Sequence, residues 1–442
     1  MSGNVKDELN RRALLTGGAA ALTAACASGP TPTSPPSRGR FLWGAATSGH
    51  QIEGNNIASD FWTLEHVRPS PFAEPSGDAC DSLHRWDEDI SIVHQLGLNA
   101  YRFSVEWSRI QPEQGCWSQA MLDHYSRMVD VCVSRGIAPV VTLNHFTAPG
   151  WFAAAGGWAT TSAADLFAAF SEKVSRALAD RVSHMVTFNE PNLALGGRWS
   201  SSPPGPAYIS AIEACVASAA RANGSDRFVV LLAHPEPRKL IRNVVAAHVQ
   251  ARAAIRSVRS SLPVGLSLAI PDDVAVVANS VIEAKRADVY GPFLDVMRDD
   301  DFAGLQTYGR DYIGTERAIP LPPSAARRPD GREWFPAAVG NAARYLHNAT
   351  GKPVLITENG IDAADDAERA RFIPEAIASV DAARQSGIPI IGYLHWSLLD
   401  NFEWLSGYGP KYGLVAVDRT TFRRTIKPSA WRYAEIVSAR LT

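Results

Sequence analysis

Eight short apolar runs, rich in β-branched and aromatic residues, alternate with longer Ala-rich segments of helical period along most of the chain. Runs that are apolar throughout predict strands buried on both faces, as in a parallel sheet. Eight strand–helix units predict an α/β fold, a closed (β/α)8 TIM barrel that occupies residues 40–442 as one catalytic domain. The predicted strands are FLWGAAT (41–47), NAYRFSVEW (99–107), APVVTLNHF (138–146), HMVTFNE (184–190), VGLSLAI (264–270), FAGLQTY (302–308), PVLITEN (353–359) and IIGYLHWSL (390–398).

The segments between these runs space their apolar residues by three and four positions, which predicts amphipathic helices. The clearest helical segments lie at 88–97, 121–136, 162–181, 240–258 and 369–387. No internal repeat or linker interrupts this alternation, so we expect no second domain.

Polar side chains gather where the predicted strands end. In barrels of this kind the active site is built from the C-terminal ends of the strands and the loops that follow them. We therefore expect one polar site at that end. Its candidate residues are Gln51, Arg102, Glu106, Asn144, His145, Asn189, Glu190, Tyr308, Glu358, His395 and Trp396.

Two of these residues are acids on different strands, Glu190 in MVTFNEPN and Glu358 in LITENG. A carboxylate at the closed mouth of a barrel is costly to desolvate unless a nearby group uses it. Two carboxyl groups that face each other across one pocket suffice for glycosidic bond cleavage, because one protonates the departing oxygen and the other attacks the anomeric carbon or activates water. The simpler alternative is that both acids form structural ion pairs.

Several longer motifs occur in order from Phe41 to the C-terminus: FLWGAATSGHQIEG, YRFSVEWSRI, TLNHFTAPGW, TFNEP, ITENG, GYLHWSLLDNFEWLSGYGPKYGLVAVD and RTIKPSAWRY. They resemble the motifs of the family 1 glycoside hydrolases, the β-glucosidase-like enzymes that cleave with retention of configuration. The resemblance implies that Glu190 is the general acid/base. It also implies that Glu358 is the nucleophile that forms a glycosyl-enzyme.

The resemblance also implies how a neutral polyol is held. Asn189 would donate a hydrogen bond to the sugar 2-hydroxyl, and Arg102 and Tyr308 would stabilise an ionised Glu358 and keep its pKa low. The remaining substrate-binding positions match Gln51, His145, Glu403 and Trp404, which hydrogen-bond glycone hydroxyls, and Trp396, the floor on which the sugar stacks.

Two positions narrow the expected substrate. A branch of the family that cleaves 6-phosphoglycosides carries Ser where this chain has Glu403, whose carboxylate would repel a phosphate. The plant thioglucosidases carry Gln where this chain has Glu190. We therefore expect an unphosphorylated β-glycoside, with β-glucoside first and β-galactoside or β-fucoside next. Transglycosylation and a sugar-binding barrel that acts as a sensor are the alternatives.

The chain departs from the family pattern at three places. Gln306 and Thr307 stand where the family usually has Asn and Tyr, close to the presumed nucleophile. The sequence LALGGRWSSSPPG replaces the usual aromatic loop after NEPN, so we expect a more open leaving-group side. RFVVLLAHPEPRKL (227–240) has no clear counterpart and is interpreted as a loop insertion.

Composition excludes several kinds of partner. The net charge is −2 without long charged runs, so nucleic acid and anionic membrane surfaces are not expected. The cysteines at 80, 116, 132 and 215 form no CxxC pair and have no His at ligand spacing, so we expect mostly buried thiols and no metal or other cofactor. The expected partner is a small-molecule or oligosaccharide β-glycoside. The oligomeric state is not predicted.

The first 39 residues carry an export pattern. Arg11 and Arg12 precede the short uncharged run ALLTGGAAALTAAC, and NRRALL resembles a twin-arginine signal. LTAAC resembles a lipoprotein processing box that would leave a lipid on Cys26, although Thr23 replaces the usual Leu. We expect a signal at 1–27, a Pro/Ser-rich linker at 28–39 and a periplasmic or extracellular protein, with a disordered Ala-rich leader as the alternative.

Overall fold

The computed structural model describes residues 39–441, and within them eight parallel strands close into one barrel in sequence order. Pairing of Leu42 with Gly392 and of Gly44 with Ala100 joins the first strand to the last and to the second. All eight predicted strands are confirmed. They are β1 (Leu42–Ala46), β2 (Ala100–Ser104), β3 (Ala138–Asn144), β4 (His184–Asn189), β5 (Val264–Ala269), β6 (Ala303–Thr307), β7 (Val354–Asn359) and β8 (Ile390–Trp396).

Eight helices follow the strands around the barrel, and the five predicted helical segments are among them. They are α1 (Ser82–Gln95), α2 (Gln119–Ser134), α3 (Ala163–Leu178), α4 (Arg238–Val258), α5 (Gly291–Met297), α6 (Ala338–Thr350), α7 (Asp366–Gln385) and α8 (Pro428–Leu441). Further helices are Gly49–Ile52, Asp60–His66, Trp107–Ile110, Gly150–Ala154, Leu193–Gly196, Pro206–Ala222 and Ile282–Val289. Single 3₁₀ turns lie at Gly157–Ala159, Gly197–Trp199, Leu231–Ala233 and Trp404–Ser406.

Two small sheets lie outside the barrel, and the pattern of long apolar runs does not predict them because their strands are short. Asp272–Ala275, Arg310–Ile313 and Ala318–Ile319 form a three-stranded sheet in the loops after β5 and β6. Val415–Val417 pairs with Arg424–Ile426 in an antiparallel ribbon before α8. The loops at the C-terminal end of the barrel are therefore partly ordered by their own hydrogen-bond ladders.

Alternating strand positions divide the barrel interior from its outside. Interior side chains such as Ala100, Val140, Val186, Leu355 and Leu394 form an apolar cluster. Because Arg102 lies two residues beyond Ala100 on the same strand, the alternation points its side chain to the interior, one step nearer the C-terminal end. The side chains that point into the barrel therefore change from apolar to polar within one layer of residues.

Residues 227–240, which the sequence interpretation takes as a loop insertion, are irregular apart from one 3₁₀ turn and the start of α4. Phe228, Val230 and Leu231 are buried, and the segment leads from the helix Pro206–Ala222 through a 3₁₀ turn into α4. Its apolar side chains pack with Phe61, Leu64 and Cys215 in a separate hydrophobic cluster. The apolar residues of the segment therefore pack beside the mouth of the barrel.

Cys80, Cys132 and Cys215 are buried and Cys116 is exposed, and all four are free thiols. Between residues 39 and 441 no helix is both long and apolar enough to cross a membrane. The predicted signal at 1–27, Cys26 and nearly all of the linker at 28–39 lie outside the described residues.

Candidate active site

The two acids stand at the C-terminal ends of opposite parts of the barrel. Glu358 is the fifth residue of β7 and is 3% exposed, whereas Glu190 directly follows β4 and is 8% exposed. Glu190 has φ of 45°, in the left-handed region that non-glycine residues rarely adopt. Its amide donates to the carbonyl of Ser267 at 2.8 Å, which fixes this backbone against β5. Such strain costs on the order of 1–3 kcal/mol and is found mainly at functional sites.

Arg102 of β2 links both acid-bearing strands. Its Nη1 donates to Glu358 Oε1 at 2.5 Å, its Nη2 donates to Asn189 Oδ1 at 2.5 Å, and its Nε donates to Thr142 Oγ1 at 3.0 Å. The side chain is fully buried. The guanidinium therefore places the Glu358 carboxylate and the residue before Glu190 in one fixed arrangement.

β6 and the residue that follows it supply two further donors to Glu358. Tyr308 donates through its hydroxyl to Oε2 at 2.6 Å, and Gln306 donates through Nε2 to Oε1 at 2.9 Å. The same Gln306 nitrogen lies 2.6 Å from Asn189 Oδ1. Thr307 turns away and donates to the carbonyl of Ile270. Gln306 was noted in the sequence only as a departure from the family, yet it contacts the carboxylate directly, as its place two residues before Tyr308 on one strand indicates.

Burial acts on both acids. It raises the pKa of Glu190 well above its ordinary value, and the charge of Glu358 raises it further. Burial also raises the pKa of Glu358, although Arg102 and Tyr308 act in the opposite direction. The expectation of a low pKa for Glu358 is therefore wrong, because desolvation outweighs its hydrogen bonds. Those bonds favour ionisation of Glu358, and the charge of Glu358 in turn disfavours ionisation of Glu190.

Aromatic rings and polar groups line the other side of the site. The His145 ring stacks on Trp396, with ring centroids 5.6 Å apart, and on Trp404 at 6.2 Å. Trp396 donates through Nε1 to Glu403 Oε1 at 3.3 Å. Burial raises the pKa of Glu403 to about 8, so this acid is largely protonated at neutral pH. Burial lowers the pKa of His145 well below its ordinary value, so this ring is neutral.

Four buried polar atoms among these residues have no hydrogen-bond partner. They are Gln51 Oε1, Asn189 Nδ2, His145 Nδ1 and Gln306 Oε1. The opposite ends of the three amides are fixed, since Gln51 Nε2 donates to the Phe402 carbonyl, Asn189 Oδ1 accepts from Arg102, and Gln306 Nε2 donates to Glu358. Unpaired buried polar groups are rare because each costs free energy, so these atoms indicate a ligand with neutral donors and acceptors.

Some residues at the strand ends do not join the site, which corrects the expectation of a single polar group. Glu106 accepts from Asn56 and Thr147, and Asn144 donates to the carbonyl of Thr147, so both fix loop structure. His395 is fully buried beside Tyr433, where burial lowers its pKa to about 3. These side chains serve the framework around the acids.

A cavity of about 380 Å³ opens the site to solvent. Its lining includes Glu190, Leu193, Gln306 and Tyr308. Glu190 thus lines an accessible hollow, together with Gln306 and Tyr308, which donate to Glu358. Over residues 39–441, no group of three or more His, Cys, Asp and Glu side chains has the geometry to hold a metal ion.

Comparison with known proteins agrees with this geometry. The family model "Glycosyl hydrolase family 1" matches residues 35–281 and 322–441. β-Glucosidase A of Thermotoga maritima is 32% identical over 444 residues, which cover 90% of this chain and 96% of that protein.

Solved structures extend the comparison. The apo structure of a β-glucosidase designated 1317 superposes with a TM-score of 0.86 at 43% identity, covering 90% of this chain and 98% of that one. The T. maritima β-glucosidase in complex with deoxynojirimycin superposes with a TM-score of 0.76 at 28% identity, covering 92% and 99%. The chain therefore belongs to glycosyl hydrolase family 1 and is a retaining β-glycosidase, as its motifs predicted.

Proposed function

We propose that this protein hydrolyses unphosphorylated β-glucosides, with Glu358 as the nucleophile and Glu190 as the general acid/base. The observation that carries the proposal is the unequal set of donors around the two acids. Glu358 accepts charge-assisted or neutral hydrogen bonds from Arg102, Tyr308 and Gln306, whereas the charge of Glu358 raises the pKa of Glu190. Such a difference in environment assigns the base and the acid of a carboxyl pair.

The reaction then proceeds by two displacements. Glu190 gives its proton to the glycosidic oxygen while the Glu358 carboxylate attacks the anomeric carbon, so the aglycone leaves as an alcohol and a glycosyl ester forms. Water attacks the same carbon next, Glu190 takes its proton, and Glu358 leaves as a carboxylate. The product keeps the β configuration. An alcohol in place of water would give transglycosylation by the same residues.

The free Asn189 Nδ2 supports a hydrogen bond to the sugar 2-hydroxyl. The oxygen of the same amide, Asn189 Oδ1, accepts hydrogen bonds from Arg102 and Gln306, so the amide is oriented before substrate arrives. Hydrogen bonds at this hydroxyl strengthen as the anomeric carbon becomes positive, which lowers the barrier more than it strengthens substrate binding. Trp396 and Trp404 offer apolar ring faces to the sugar.

Exclusion of a phosphorylated sugar is supported by Glu403, which stands where the 6-phosphoglycoside branch of the family carries Ser. Burial raises the pKa of Glu403 to about 8, so charge repulsion of a phosphate is weaker at neutral pH than an ionised carboxylate would give. Preference for glucose over galactose or fucose is supported by the β-glucosidases among the relatives.

Substitution of the two acids tests the assignment. Glu358→Gly should abolish hydrolysis of an aryl β-glucoside, and azide should restore turnover by forming the α-glucosyl azide, because azide replaces the nucleophile. Glu190→Gly should slow glucosides of poor leaving groups by about 10²–10⁴-fold and give the β-glucosyl azide. NMR of the products distinguishes the anomers. Undiminished turnover by Glu358→Gly would contradict the proposal, and parallel assays with β-galactoside and β-fucoside rank the glycones.

The charge of Glu358 should control the protonation of Glu190. Because that charge raises the pKa of Glu190, Glu358→Gln should lower it, measured by ¹³C NMR titration of labelled glutamate. In the wild type, kcat/KM should rise with pH as Glu358 ionises and fall as Glu190 ionises. The resulting bell-shaped pH profile reports apparent pKa values of the two acids as a coupled pair. Glu172→Gln, at an exposed acid of α3, is the control. An unchanged pKa in Glu358→Gln would show that the carboxyls do not face each other.

Gln306 should position Glu358. Removal of its donor in Gln306→Met should lower kcat/KM by about tenfold to a hundredfold, the value of a hydrogen bond to a charged group. The acidic limb of the pH profile should move to higher pH because the carboxylate loses a stabilising donor. Thr307→Val is the matched control, since that hydroxyl bonds only the Ile270 carbonyl. A loss of activity without movement of the acidic limb would contradict a positioning role.

We further propose that the chain is exported and carries a lipid on Cys26. Arg11 and Arg12 before an uncharged run, and the small residues before Cys26, support this proposal. In a bacterial host, the wild type should label with palmitate and fractionate with membranes, and Cys26→Ala should do neither. Replacement of both arginines by lysine should retain the protein in the cytoplasm. Normal export of that double variant would contradict the twin-arginine assignment.

A further inference from the structure

We propose that an apolar cavity beside Trp404 binds the hydrophobic part of the aglycone, so that glucosides of alkyl and other apolar alcohols are the preferred substrates. The inference rests on the proposed function and adds its substrate class. The cavity has a volume of about 200 Å³ and a nearly continuous apolar lining. Phe61, Phe72, Phe146, Ile212, Leu232 and Trp404 form much of it.

The lining draws in part on two segments that depart from the family pattern, with Leu193 from the first and Leu232 from the second, and on the helix between them. Tyr208, Ile212 and Cys215 lie on one face of the helix Pro206–Ala222, at spacings of four and three residues. Leu232 comes from the 3₁₀ turn within the segment 227–240. A helix that turns an apolar face toward a cavity beside the active site leaves that face partly unpacked in the free protein.

Leu193 connects this cavity to the site of bond cleavage. Its side chain lines both the apolar cavity and the mouth that contains Glu190. Its amide donates to the Glu190 carbonyl at 3.0 Å, so it lies on the side where Glu190 protonates the leaving group. An aglycone that departs past Glu190 therefore meets Leu193 first and the apolar cavity next.

The rim of the cavity is open to water although it is apolar. Leu193, Tyr208 and Leu405 are 43%, 45% and 38% exposed. A cluster of exposed apolar side chains around a concave surface indicates a binding site. Its continuity with the catalytic mouth, rather than with a flat outer face, favours a substrate group as the occupant.

The polarity of the lining excludes a second sugar. Few polar groups are present, and the Cys215 thiol already bonds the carbonyl of Leu64. Hydroxyls of a sugar would lose water without gaining partners there. A polar aglycone has a different place beyond Tyr308, where a cavity of about 430 Å³ includes Arg310, Asp311 and Glu333 in its lining.

The size of the cavity limits the effect of chain length. A cavity of comparable volume holds a benzene ring, so about six to eight carbon atoms should fit. Each buried methylene should raise kcat/KM by about threefold to fourfold until the cavity is filled. Longer chains should give no further gain, because the added carbons remain in water.

The test compares methyl, butyl, hexyl, octyl and dodecyl β-glucosides with the full-length protein, below their micelle concentrations. We expect kcat/KM to rise from butyl to about octyl and then level off. Ile212→Asn, which makes the cavity polar, and Ile212→Trp, which fills it, should each reduce the octyl-to-methyl ratio of kcat/KM by at least about tenfold. Ile209→Asn is the matched control, because Ile209 is on the same helix, is 41% exposed and does not line the cavity.

The outcomes separate the inference from the function it rests on. Hydrolysis of aryl and methyl β-glucosides with no dependence on alkyl length would overturn the apolar site and leave the proposed function intact. A preference for cellobiose over octyl glucoside would point to the polar cavity beyond Tyr308 as the aglycone site. That result would also overturn the apolar site. If the Ile212 variants change the size-exclusion profile but not the ratio, the surface is an interface between copies. Failure to hydrolyse any β-glucoside would instead reject the proposed function.

Discussion

The buried guanidinium of Arg102 is the interaction on which the rest of the site depends. A fully desolvated cation is stable only where its donors are paired, and removal of one partner of a buried ion pair costs about 3–5 kcal/mol. Arg102 satisfies this requirement with Glu358, Asn189 and Thr142, which come from β7, β4 and β3. One side chain from β2 thereby fixes four strands at the layer where the barrel core ends and the polar site begins.

That arrangement explains how the two glutamates acquire different chemistry. Both are buried, so desolvation raises the pKa of each, and neither is an ordinary surface acid. The two acids differ in their hydrogen bonds, because Arg102, Tyr308 and Gln306 all donate to Glu358 and none of them donates to Glu190. The negative charge that they stabilise then disfavours a second charge on Glu190. Hydrogen bonding decides which acid ionises first, and electrostatic repulsion keeps the proton on the other.

The surroundings of the acids divide into a fixed part and a variable part. The proposed function assigns the glycone to the strand ends and to the stacked rings of His145, Trp396 and Trp404, where polar atoms have no partner in the protein. It assigns the leaving group to the helices and loops after the strands, which are polar beyond Tyr308 and apolar beyond Leu193. Strands held by a closed hydrogen-bond ladder restrict change, whereas the loops that follow them accept new segments. The proposed cleavage and the proposed aglycone choice therefore depend on different structural elements.

The sequence by itself determined the eight strands and the closed barrel, and it predicted the two acids, because these depend on local periodicity and on motifs that lie within single strands. It also predicted Gln51, His145, Asn189, Glu403 and both tryptophans as substrate-binding residues. Only the tertiary structure decided that Gln306 bridges Asn189 and Glu358, that the pKa of Glu403 rises to about 8, and that residues from Phe61 to Leu405 enclose one apolar cavity. Desolvation and convergence depend on which distant segments pack around a side chain, and the spacing of residues along the chain does not specify that.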